Sequence, residues 1–316
     1  MIHLEEFRMS RRAALQGAGA LGLMSIVSTP RNVFAAAQNS TPAEGDDYPE
    51  LVVNAVEYAF DMPASVAGGL TKITFNNNGV MDHHAIFLRV NDDSTVEAVQ
   101  EALKQPEFGP VFAVAKSVGG PGCGPGQTTS VIVDLEPGKY LVICAIPDES
   151  GVPHYALGML NQLDVTEGES TAEAPTADAT IHLVDFMFHD LPSEVTAGAH
   201  TWEVVDDGAQ VHELGVCKIA EGFTFEKIQE ILMAPPDATP AAGGPPAASS
   251  SPMAMDMEMA PPFEQVAGVA PMSAGVTNWL LLDLEAGDYF AICFVPDSNT
   301  GAPHFALGMI MPFTVA

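Results

Sequence analysis

Two sets of four residues carry the chemistry open to this sequence. His83, Cys144, His154 and Met159 come in that order in the first half, and His212, Cys293, His304 and Met309 repeat the order in the second. Each set offers one thiolate, two imidazoles and one thioether. A trigonal His₂Cys group with a weak axial Met is the donor set of a mononuclear type 1 copper. The spacing has a physical logic. Cys144 ends an apolar run, Pro147-Asp148 reverses the chain, and His154 and Met159 return on the same loop. His83 comes from a separate segment behind the turn Asn76-Asn77-Asn78-Gly79, so folding must assemble the site. His84 is the adjacent alternative. The repeat register described next pairs His83 with His212 and sets Glu213 opposite His84, so His83 is taken as the ligand and His84 points to the other face of its strand.

The elements that must position these residues occur twice, because the chain repeats itself. Pro63 and Pro192, Gly79 and Gly208, and His83 and His212 are each separated by 129 residues. Asp134 and Asp283, Tyr140 and Tyr289, and Cys144 and Cys293 are separated by 149. Pro153-His154 and Gly158-Met159 return as Pro303-His304 and Gly308-Met309 at an offset of 150. Two domains follow, 49–166 and 179–316, joined by a Thr/Ala/Glu/Pro linker at 167–178. Short runs rich in β-branched residues (51–53, 71–75, 85–90, 128–135, 139–146) alternate with Gly, Asn and Pro turns. That pattern predicts an all-β fold, a Greek-key sandwich or small barrel in each repeat. Helical spacing over 96–104, and again over 225–233, predicts one short helix per repeat.

Composition narrows the partners. Eleven basic residues stand against 41 acidic ones, a formal net charge of -30 in 316 residues. Such a chain has no basic footprint for nucleic acid or anionic lipid. Its acidic surface keeps it soluble and steers cations or a basic docking protein toward it.

The first 37 residues read as an address. Ser10-Arg11-Arg12-Ala13-Ala14-Leu15-Gln16 resembles a twin-arginine export motif, with Ala14 and Gln16 where Phe and Lys are commoner. A weakly apolar stretch at 18–27 and a small-residue site at Ala35-Ala36-Ala37 follow. The stretch is short against the roughly 20 residues of a spanning helix, so no stable membrane span is expected once a signal at 1–37 is removed. Residues 38–48 read as a flexible N-terminal segment. The expected location is periplasmic, extracellular or cell-surface, where disulfides are permitted. With Cys144 and Cys293 committed to metal, Cys123 and Cys217 are left as a pair that can bridge the repeats. The second repeat also carries an insertion at 235–262, rich in Ala and Pro. It ends in alternating Met253, Met255, Met257 and Met259, a flexible loop by composition with thioethers able to hold Cu(I).

The segment from Tyr140 through Cys144 to Pro153-His154 and Gly158-Met159 resembles the ligand loop of the cupredoxin (plastocyanin/azurin-like blue copper) family. The length between Cys and His is nearer to the type 1 loop of copper nitrite reductases. Asn76-Asn77-Asn78-Gly79 before His83 resembles the family's first-ligand segment. The resemblance covers both repeats, in pattern more than in identity. It implies two type 1 coppers and single-electron exchange with redox partner proteins. It also bears on enzyme activity. Multicopper oxidases and nitrite reductases place imidazoles for further copper beside the type 1 Cys or in His-x-His pairs. Here Cys144 is flanked by Ile143 and Ala145, Cys293 by Ile292 and Phe294, and His-x-His does not occur. An electron carrier is therefore expected rather than an enzyme, with copper storage or delivery as the alternative. The sequence leaves the oligomeric state open.

Overall fold

The computed structural model describes residues 48–105, 108–168, 172–234 and 261–316. The expected leader at 1–37, the segment 38–47 and most of the Met-rich insertion, with Met253, Met255, Met257 and Met259, lie outside these residues. The described residues fall within one compact unit.

The fold is all-β, and strand alternation explains its layers. In Gly69–Asn77 the residues Thr71, Ile73, Phe75 and Asn77 face inward while Lys72, Thr74 and Asn76 face out. Gly198–Asp206 does the same with Trp202, Val204 and Asp206 inward. A period of two thus carries one polar side chain, Asn77 or Asp206, to the buried end of each strand. Against these inner faces pack five-stranded sheets, one per repeat. The first has the order Ser65–Ala67, Leu160–Thr166, Gly138–Ile143, Ile86–Val90, Ala115–Ser117. The second has the order Glu194–Val195, Ile310–Val315, Gly287–Ile292, His212–Ile219, Phe263–Met272. The strands that end at the cysteines, Gly138–Ile143 and Gly287–Ile292, bury their last four residues on both faces. Their outer face is covered by the helix of their repeat.

Those helices are Val96–Ala102 and Phe225–Leu232, inside the spans expected from sequence. Each starts at a threonine whose side-chain oxygen accepts a backbone N–H in the first turn: Ala98 to Thr95, and Lys227 to Thr224. Val99 and Ala102 seat the first helix on Ile86, Leu88, Leu141 and Ile143, and Ile228 seats the second on Phe290 and Ile292. No helix among the described residues is long and apolar enough to cross a membrane.

The two repeats share a sheet. Thr128–Leu135 pairs antiparallel with Thr277–Leu284, joining four strands of each repeat into one eight-stranded sheet. Buried Asn278 locks this seam: its Nδ2 donates to Val118 O at 2.9 Å and its Oδ1 accepts from Gly120 N at 3.1 Å. The bridge considered between Cys123 and Cys217 is not formed. Both thiols are free and buried, in different apolar clusters. Burial pushes the Cys123 thiol up to about 12.

Candidate metal centres

In the first repeat one loop supplies three of the four expected residues. Cys144 N–H donates to Met159 O at 3.2 Å, His154 N–H to Ile146 O at 2.9 Å, and Met159 N–H to His154 O at 3.0 Å. Asp148 braces the bend, accepting the backbone N–H of Ser150 and of Val152 at 2.9 Å each. Gly158, with φ of +120°, makes the last reversal in a conformation that side-chain-bearing residues avoid. His83 arrives from the short strand His83–His84, paired to Gly122–Cys123. Asn77 fixes that segment: its Nδ2 donates to Met81 O at 2.8 Å and Cys123 O at 3.0 Å, and its Oδ1 accepts from Gly79 N at 3.0 Å.

The result is a closed cluster. Cys144 Sγ lies 3.9 Å from His83 Nδ1 and 3.5 Å from His154 Nδ1, and the two nitrogens are 3.2 Å apart. All three side chains are buried, and Met159 is buried in the same apolar cluster as Cys144. His84 does not join. Its Nε2 accepts the Ala145 N–H at 2.8 Å on the other side of the strand.

The donors fit copper on their own chemistry. Burial, followed by the neighbouring His154, lowers His83 to about 4, and burial lowers His154 as well. Both rings are therefore neutral and free of proton competition near pH 7. Burial pushes the Cys144 thiol up to about 12. A thiolate there needs a cation at hand, and two neutral imidazole nitrogens converge with it.

In the second repeat the loop is built alike. Cys293 N–H donates to Met309 O at 3.1 Å, His304 N–H to Val295 O at 2.8 Å, and Cys293 Sγ lies 3.4 Å from His304 Nδ1. Burial, followed by the neighbouring His212, lowers His304 to about 4, and burial raises Cys293 well above its usual value. His212 occupies the place of His83, with its ring centre 4.9 Å from that of His304, the same separation as in the first repeat. Its Nδ1, however, is 3.0 Å from Asp206 Oδ1. Met309 is buried, as Met159 is.

Some residues at the sites were not singled out from sequence. Tyr58 and Phe186, both at positive φ, set their rings edge-on to His154 and His304 at 5.2 and 5.1 Å. The acids before them, Glu57 and Asp185, lie 3.7 and 3.5 Å from Nε2 of His83 and His212. An acid followed by an aromatic residue, repeated after the first strand of each repeat, was the available signal.

No family model matches the chain, and no curated protein matches it. Solved structures do. An auracyanin from Roseiflexus castenholzii is 22% identical over 39% of this chain and 99% of its own, with a TM-score of 0.25. Auracyanin A, described as a blue copper protein from Chloroflexus aurantiacus, is 20% identical over 37% of this chain and 99% of its own, TM-score 0.24. Copper nitrite reductase from Nitrosomonas europaea is 14% identical over 84% of this chain and 93% of its own, TM-score 0.23. The chain itself is all-β, each repeat packing a five-stranded sheet against the strands it contributes to the shared eight-stranded sheet.

Proposed function

We propose that the chain is a copper protein of the extracytoplasmic space that exchanges single electrons with redox partner proteins. The observation that carries this reading is the buried convergence of Cys144 Sγ with the Nδ1 atoms of His83 and His154. His83, Cys144, His154 and Met159 would hold one copper, and His212, Cys293, His304 and Met309 a second. When bound, copper supplies a one-electron couple between Cu(II) and Cu(I).

The protein's own part is to hold the donors still. The hydrogen bonds across 144–159 and 293–309 fix the three loop ligands of each site from the backbone, so a change of charge meets little movement there. The apolar core beneath the site excludes water. Exposed Val80 and Leu157 lie on the segments that carry His83 and His154, an apolar approach for a partner. We read the chain as a carrier rather than an enzyme, because the neighbours of Cys144 and Cys293 in sequence offer no imidazole for a further metal. Export through the N-terminal segment belongs to the same reading.

The test is an optical spectrum and copper count after saturating Cu(II) reconstitution, on the wild type, Cys144→Ser and Cys293→Ser. An intense thiolate-to-copper band, about two coppers per chain and about one in each variant is the expected result. Absence of both band and copper overturns the reading. Rapid loss of copper to an external chelator would favour delivery, the alternative to which the Met-rich insertion points.

A further inference from the structure

The two centres share their donor residues but differ in what lies behind the first histidine. Asn77 in the first repeat and Asp206 in the second occupy the same inward position at the end of equivalent strands. Asn77 satisfies itself without His83, through Met81 O, Cys123 O and Gly79 N. Asp206 is fully buried and accepts from Gly208 N at 3.0 Å, from His212 N at 3.1 Å and from His212 Nδ1 at 3.0 Å. A carboxylate can only accept, so Nδ1 of His212 carries the proton.

The ring orientation agrees. A Cβ placed on Gly79 would meet His83 at Nε2, 2.9 Å away, whereas one on Gly208 would meet His212 at Cε1, 2.3 Å, and Nδ1, 2.8 Å. The imidazoles therefore occupy the same place with opposite edges turned inward. His83 aims Nδ1 at Cys144 and His154, and His212 aims it at Asp206.

We propose that Asp206 competes with copper for Nδ1 of His212, so that the second centre binds copper more weakly than the first and fills after it. The inference rests on the copper reading above. For Nδ1 to face Cys293, the His212 ring must turn about Cβ–Cγ and carry its proton on Nε2. Asp206 Oδ1 then keeps only Gly208 N and faces a carbon edge. A buried hydrogen bond to a charged acceptor is lost in that exchange. The loss corresponds to a binding constant roughly tenfold to a hundredfold weaker. The first centre has no such competitor.

The experiment is a Cu(I) titration of the full chain against a chromophoric Cu(I) chelator. Cys293→Ser reports the first centre alone and Cys144→Ser the second. The expected result is about one copper in each, with the second roughly tenfold to a hundredfold weaker. Asp206→Asn added to Cys144→Ser should close most of that gap. The reciprocal Asn77→Asp added to Cys293→Ser should open one. ¹⁵N NMR of the metal-free chain should place the His212 proton on Nδ1, and on Nε2 after Asp206→Asn. Equal affinities with copper bound, or a gap that neither exchange moves, overturns the inference while leaving the copper reading intact. Failure of both centres to bind copper overturns the two together.

Discussion

His84 Nε2 accepts the backbone N–H of Ala145 at 2.8 Å, tying the residue after His83 to the residue after Cys144. Glu213 makes the matching link in the second repeat, accepting the Phe294 N–H at 2.8 Å. Each link holds the first histidine's strand against the cysteine's strand end. His84→Ala leaves the Ala145 N–H without its acceptor and opens a gap, at a cost of about 1 to 2 kcal/mol. His84→Gln keeps an acceptor on a side chain of similar reach and should recover most of it. Urea unfolding of the copper-free protein reads the difference. Equal losses in Ala and Gln would show that packing, and not the hydrogen bond, is what His84 contributes.

The seam between the repeats depends on Asn278. Asn278→Leu strands Val118 O and Gly120 N in a buried position, and the expected cost is about 2 to 4 kcal/mol. Gly119→Ala should also destabilise. It places a Cβ 2.3 Å from Asn278 Oδ1 at a residue with φ of +84°. Denaturant midpoints should fall in both variants with the slope unchanged, since the same surface is exposed on unfolding. A midpoint within experimental error of wild type for Asn278→Leu would remove this amide from the account of how the repeats join.

Much of the site was legible because its residue types are chemically narrow. Cys, His and Met in fixed order, returning at fixed offsets, restrict both metal and ligand loop. The helices over 96–104 and 225–233 were legible through their spacing, and the strands through alternation. Strand neighbours were not. Alternation says which face of Thr128–Leu135 is buried, but not that Thr277–Leu284 lies beside it, because an edge strand and a joined strand share the same pattern. Asn278 gave no repeat signal, since the residue 149 positions earlier is Thr129. Asp206 stands opposite Asn77 at the same 129-residue offset, but its hold on His212 is a matter of side-chain orientation.

Met159 should tune the first copper without being needed to hold it. Its side chain is fully buried, and its backbone oxygen accepts from Cys144 N. Leu replaces it with nearly conserved volume, so the loop should persist. Without the thioether a bound copper would keep only the His₂Cys donors, and so low a coordination number suits Cu(I) better than Cu(II), so the reduction potential should rise. In the Cys293→Ser background, Met159→Leu is expected to keep about one copper per chain and an intense visible band, with the potential shifted upward in voltammetry. An unmoved potential would mean that the thioether does not act on the metal.

Asp297 ties the second site's two loops together and should make this region acid-sensitive. Its Oδ2 accepts Thr300 Oγ1–H at 2.6 Å and Thr300 N–H at 2.8 Å, and its Oδ1 accepts Gln210 Nε2–H at 2.9 Å. Gln210 stands two residues before His212, so the carboxylate links that approach to the loop that bears His304. These donors, the Thr300 hydroxyl first and Gln210 next, hold the carboxyl well below the usual carboxylate range. A depressed folded-state value means that the unfolded chain takes up the proton first. The stabilisation is therefore fully present above about pH 4, the ordinary aspartate value, and is lost as pH falls toward the folded-state value. Asp297→Asn should lower stability at pH 7 and narrow its gap to wild type at pH 3. Urea midpoints of the copper-free proteins across that range decide it. A gap that stays constant with pH would show that Asp297 contributes shape alone and that its charge plays no part.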